Sequence, residues 1–130
     1  MYATTTVYEI KHYQVNGQER FSKLQTRKLL GIRHRDTLIK NVAYLKKAEV
    51  NLSGTVFTWD DIYELLALHL YLNINRGDTV TFTRKMYTII RQSGMENVKT
   101  VLSSFDIDLD QIFEEIQNDF NRQQIFRKAK

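Results

Sequence analysis

The stretch that most constrains this chain runs from Phe21 to Lys47, FSKLQTRKLLGIRHRDTLIKNVAYLKK. It predicts two short helices joined at Gly31-Ile32. Ser22-Lys23-Leu24-Gln25 fits the S-x-x-Q capping box, in which each end satisfies the other's free amide. Gly31 stands where a glycine in the left-handed conformation would close the first helix. The second helix is expected from about His34 or Asp36 to Lys47. At 100° per residue its Leu38, Val42 and Leu45 fall in one narrow arc. Asp36, Lys40, Ala43, Tyr44 and Lys47 fall opposite, with Thr37 at the border. Between Arg20 and Lys47 nine residues are basic (Arg20, Lys23, Arg27, Lys28, Arg33, Arg35, Lys40, Lys46 and Lys47) and one, Asp36, is acidic.

This one-sidedness exceeds what the net charge of +4 conveys. Residues 1–58 carry ten basic and four acidic side chains, whereas residues 105–130 carry four basic and six acidic. A basic front half and a mildly acidic end point to a polyanion-facing part and a part with another task. A helix, a glycine turn and a second helix with basic residues at its start form the layout of a helix-turn-helix reader of DNA. Arg33, His34 and Arg35 sit at the entry to the second helix, where base contacts are made and where the helix dipole favours phosphate.

Several function classes are disfavoured. The chain has no cysteine, which removes disulfides, thiolate metal sites and cysteine nucleophiles and fits a cytoplasmic location. The most apolar run, Leu65 to Leu72, is far shorter than the roughly 20 residues a membrane-spanning helix needs, and no stretch resembles a signal peptide. His12, His34 and His69 fall in separate elements, and His69 has no His, Asp or Glu three or four residues away, so no metal site is expected. Asp106-Ile107-Asp108-Leu109-Asp110 starts like a calcium loop, but Gln111 and Gln117 occupy the places of its glycine and glutamate. No phosphate-cradling glycine motif and no nucleophile elbow occur, so neither catalytic residues nor a cofactor are expected.

The rest of the chain supplies context. Thr4 to Ile10 and His12 to Val15 are β-prone, Asn16-Gly17 is a hairpin turn signal, and Gln18 to Phe21 form the return strand. Ala48 to Phe57 is expected to be a second short hairpin around Ser53-Gly54. Thr58 caps a helix with Asp61 at its third position, and the helix continues to about Asn73. Its apolar residues cover more than one stripe, which predicts burial on two sides, one of them against a partner. Arg76-Gly77-Asp78 reads as a turn, and Thr79 to Phe82 is β-prone. Thr83 caps a short helix ending at Gly94 with Met86, Ile89 and Ile90 as its apolar set, and a further helix spans about Glu96 to Leu102. A last helix starts at the N-cap Asp108 and runs to about Arg127, with Ile112, Phe113, Ile116 and Phe120 as a stripe for packing on a second subunit or, as the alternative, back on its own domain.

Leu30-Gly31-Ile32, Thr37-Leu38 and Phe57-Thr58-Trp59-Asp60-Asp61 resemble the DNA-binding domain of MerR-type winged-helix regulators and their excisionase-like relatives over about residues 21–75. Without a long coiled-coil helix or a sensing cysteine, the chain is more similar to compact MerR-like repressors, such as those encoded beside CRISPR-associated transposons. The implied fold class is mainly α with small β-hairpins. Residues 1–75 would form a winged helix-turn-helix domain with an N-terminal hairpin, and residues 76–130 a helical dimerisation region. The implied activity is sequence-specific binding of double-stranded DNA by a homodimeric transcriptional regulator, a repressor. Arg33, His34, Arg35, Thr37, Lys40 and Tyr44 would then be near bases or phosphates, and Lys23, Lys28, Lys46 and Lys47 on the backbone. Leu66, Leu70, Ile112, Phe113, Ile116 and Phe120 would form the dimer interface. The alternative is a non-enzymatic accessory protein of a phage, plasmid or other mobile element, whose basic face binds a protein.

Overall fold

The structure is a computed structural model that describes residues 12–15, 18–52, 55–74 and 82–129. The expected strand over residues 4–10, the turns at Asn16-Gly17, Ser53-Gly54 and Arg76-Gly77-Asp78, and the β-prone residues 79–81 lie outside them. Strands β1 (His12–Val15) and β2 (Gln18–Phe21) pair antiparallel, with His12 opposite Phe21 and Val15 opposite Gln18. Six helices follow: α1 (Lys23–Leu30), α2 (Arg35–Lys47), α3 (Trp59–Asn73), α4 (Arg84–Gln92), α5 (Met95–Ser103) and α6 (Leu109–Ala129). The protein is thus mainly helical, with its described sheet confined to one small hairpin.

Local signals place the helix ends. The Ser22–Gln25 capping box forms in both directions, at 3.1 and 3.2 Å. Gly31 adopts φ 74, and the amide of Ile32 donates to the Arg27 carbonyl, closing α1. At α3 the Thr58 hydroxyl accepts from the Asp61 amide and the Asp61 carboxylate from the Thr58 amide, at 3.1 and 3.0 Å. Thr83 caps α4 through the Met86 amide, and Asp108 caps α6 through the Gln111 amide.

The core is one continuous cluster reaching from Phe21 to Phe120, with α3 in its middle. α1, α2, α4, α5 and α6 all pack on α3. Both apolar sides of α3 are therefore covered by this chain, and the side expected to await a partner is taken by the later helices. The reason lies in the aromatic stripe of α6. Phe113 stacks edge-on against Trp59 and Tyr63, and Phe120 against Phe21 and Trp59. Leu66 is 2% and Phe120 7% exposed, so both are buried within this chain's own core. Leu70, Ile112, Phe113 and Ile116 are half-buried and pack on the same cluster.

Two further expectations change. Among the described residues no hairpin forms between Ala48 and Phe57. The amides of Ala48, Glu49 and Val50 donate back to carbonyls of α2, with Glu49 at φ 67 closing the helix. Phe57 then pairs with Phe21 through mutual backbone bonds of 2.7 and 2.8 Å, tying the exit of this segment to the end of β2. In α4 Tyr87 is fully buried and Ile90 packs on the core beside it, whereas Met86 and Ile89 are 41% and 53% exposed. The helix is turned this way because Arg91 forms two hydrogen bonds with the Glu64 carboxylate of α3, at 3.0 and 2.9 Å, and Arg84 reaches α2.

A polar clasp joins α3, α5 and α6. The Tyr63 hydroxyl donates to Asp110 at 2.6 Å, and Lys99 pairs with the same carboxylate at 2.7 Å. Burial, and then the bond to Asp110, push the Tyr63 phenol up to about 12, while Lys99 first and Tyr63 second hold Asp110 below the usual carboxylate range. A raised phenol stabilises the fold in its neutral form, and that contribution is complete below the ordinary value of 10 and is lost as pH climbs toward about 12. Urea unfolding across this window should show stability falling in the wild type and falling less steeply in Tyr63→Phe. Identical slopes would argue against the clasp.

Candidate nucleic-acid interface

The candidate surface is built on α2, and its orientation comes from what α2 buries. Leu38, Leu45 and Asn41 are fully buried, with Val42 half-buried beside them. The outer arc therefore carries Arg35, Asp36, Ile39, Lys40, Ala43, Lys46 and Lys47, all exposed. This arc is turned relative to the one expected from Leu38, Val42 and Leu45 alone, toward Ile39 and Lys46 and away from Tyr44. Tyr44 is half-buried on the flank where α4 packs. Its ring lies 4.6 Å from Lys47 Nζ and close to the charge of Arg84. There it supports Lys47 and the α2–α4 contact.

Asn41 is the residue that sequence reasoning missed. Arg84 Nε donates to its Oδ1 at 2.6 Å, and burial lowers the proton affinity of the Arg84 guanidinium. An asparagine between Leu38 and Leu45 signals in itself an inward polar contact, but not its partner, which lies 43 residues away.

The approach to α2 is also held. Arg27 Nη2 donates to the Arg33 carbonyl at 2.5 Å, bracing the connection between α1 and α2 from the α1 side. Arg33 and His34 are left exposed ahead of α2, and Arg35 is its first residue. His34 is the N-cap but its side chain makes no capping bond. The free amides of the first turn and Arg35 thus face the same end of the helix, where an anion is favoured. Lys23, half-buried at the start of α1, shares a groove with Lys46, whose other walls are Ile39, Val42 and Ala43 and whose depth reaches Leu38 and Phe57. Lys28 is exposed in the last turn of α1, and Thr37 is half-buried in the first turn of α2. The structure thus brings Lys23 and Lys46 together and aligns Arg35, Lys40, Lys46 and Lys47 along one exposed arc.

Among the described residues none of Lys23, Lys28, Arg33, Arg35, Lys40, Lys46 and Lys47 forms an ion pair. The acids of the helical core are engaged elsewhere, Glu64 with Arg91 and Asp110 with Lys99. A face on which cations outnumber the single acid, Asp36, on a rigid helix attracts polyanions and can place side chains against an oriented ligand. His69 lies half-buried on α3, where burial lowers its proton affinity, with Asn73 Nδ2 3.3 Å from its Nε2. Among the described residues no group of three or more His, Asp or Glu is placed to hold a metal ion, and no helix is long and apolar enough to cross a membrane. No protein-family model, curated protein or solved structure matches this chain.

Proposed function

We propose that this chain binds double-stranded DNA through the major groove with α2, as a helix-turn-helix transcriptional regulator of the compact MerR-like kind. The observation that carries the reading is the outer arc of α2, where Arg35, Lys40, Lys46 and Lys47 stand exposed and, among the described residues, without an ion pair, on a helix anchored from behind. An α-helix fits the width of the major groove, and the first turn of a reading helix meets the base edges. Lys23 on the adjacent helix is within reach of the same ligand as Lys46, as phosphate contacts from flanking elements require. Occupying a promoter in this way blocks transcription, so repression is the expected outcome. Two copies on a two-fold symmetric operator would set half-sites about one or two helical turns apart.

Duplex binding by the full chain should weaken by about 1–3 kcal/mol in Arg35→Ala. Lys40→Ala should weaken it across sequences and reduce the slope of log affinity against log salt by about 1. Both residues are exposed, so unfolding free energy should stay within about 0.5 kcal/mol of wild type. Fluorescence anisotropy on a labelled duplex at several salt concentrations checks this. Wild-type affinity in both variants, or binding indifferent to salt, would refute the reading; the latter favours a protein ligand for the basic face.

A further inference from the structure

The outer arc of α2 is charged at its edges and, beyond Asp36 in its first turn, apolar at its centre. Ile39 is 40% exposed, and Ala43, one turn on, is exposed beside it. Together with Val42 they wall the groove rimmed by Lys23 and Lys46. At about 260 Å³ this groove is too small to enclose a typical organic ligand, but it admits a methyl group. The helix's single amide side chain, Asn41, is fully buried and held by Arg84, so the bidentate partner that adenine takes is absent from the outer face. Among base edges in the major groove, the feature that matches an apolar centre is the thymine 5-methyl group, and the flanking lysines match the phosphates on either side.

We infer that α2 reads a thymine: the duplex it prefers places a thymine methyl against Ile39 and Ala43. The inference rests on the duplex-binding reading above and names the sequence class that reading leaves open. Arg35 and Lys40 hold the duplex, and the methyl contact selects among duplexes.

The test is selection from a random-sequence duplex pool with the full chain, followed by replacement of the enriched thymine with deoxyuridine. That exchange keeps base pairing and the O4 acceptor and removes only the methyl. The enriched sites should carry thymine at one fixed position, and deoxyuridine there should weaken wild-type binding about fourfold, the effect of burying one methyl group. Ile39→Ala, a change at an exposed position, should lower affinity for the thymine duplex and shrink the thymine-to-uracil ratio toward 1. Enriched sites without a fixed thymine, an unchanged affinity for the deoxyuridine duplex, or an undiminished ratio in Ile39→Ala would each overturn the inference. If duplexes are retained with a steep salt dependence in those cases, the duplex-binding reading survives. If no duplex is retained while an acidic amphipathic peptide is, both fall.

Discussion

Phe21→Ala should lower the free energy of unfolding by about 3–5 kcal/mol, the range for deleting a fully buried phenylalanine. Phe21 is 0% exposed, and its ring sits edge-on to Trp59 at 4.7 Å and to Phe120 at 5.3 Å. Its backbone carries both hydrogen bonds to Phe57. The substitution leaves those backbone bonds in place but empties the point where β2, α3 and α6 meet. Neither α3 nor α6 can collapse into the gap without giving up other contacts, because Trp59 also donates to Glu19 and Phe113 also packs on Tyr63. Leu24→Ala on the neighbouring helix is the control: Leu24 is 53% exposed and should cost less than about 1 kcal/mol. Urea denaturation of the two variants measures the contrast. A loss under about 1 kcal/mol for Phe21→Ala would mean that α6 does not close over this site.

The second large effect concerns the anchor behind the reading helix. Arg84→Met should cost about 1–3 kcal/mol, because it strands a fully buried acceptor. Asn41 Oδ1 would lose Arg84 Nε, and Asn41 Nδ2 already has no partner among the described residues. Replacing both residues by apolar ones of similar shape, Asn41→Leu with Arg84→Met, should recover most of that loss, since no unpaired amide then remains. The double-mutant cycle separates the pair from its surroundings. Amide hydrogen exchange in α2 should rise in Arg84→Met and return toward wild type in the double variant. Additive losses in the cycle would show that the two side chains act independently.

How much of this was legible from residues alone differs by feature. Ser22 with Gln25, Gly31, and Thr58 with Asp61 announce helix ends through contacts within five residues, and the observed ends fall there. The second helix was expected from His34 or Asp36 to Lys47 and spans Arg35–Lys47. The segment after it was harder. Among the described residues, the start of Ala48 to Phe57 is taken up by the closing turn of α2, whose carbonyls accept from the amides of Ala48, Glu49 and Val50. In α4, Ile90 of the apolar set packs on the core, whereas Met86 and Ile89 face outward, because two arginines and Tyr87 make the interhelical contacts.

For the candidate site, the basic residues were readable one by one, and Arg35, Lys40, Lys46 and Lys47 are exposed. The rotation of α2 was not. It depends on Asn41 finding Arg84, and it moves Tyr44 to the flank and Ile39 to the front.

Helix limits, caps and the one-sided charge of residues 20–47 follow from the chain's local order, since capping bonds and turn dihedrals are satisfied between near neighbours. Which face of α2 meets solvent, and where the aromatic stripe of α6 packs within this chain, were settled by contacts across the fold. Arg84 meets Asn41 across 43 residues, and Asp110 meets Tyr63 across 47. Such contacts form only when distant helices pack together, because burying a shared apolar surface is what offsets the entropy of ordering the chain between them.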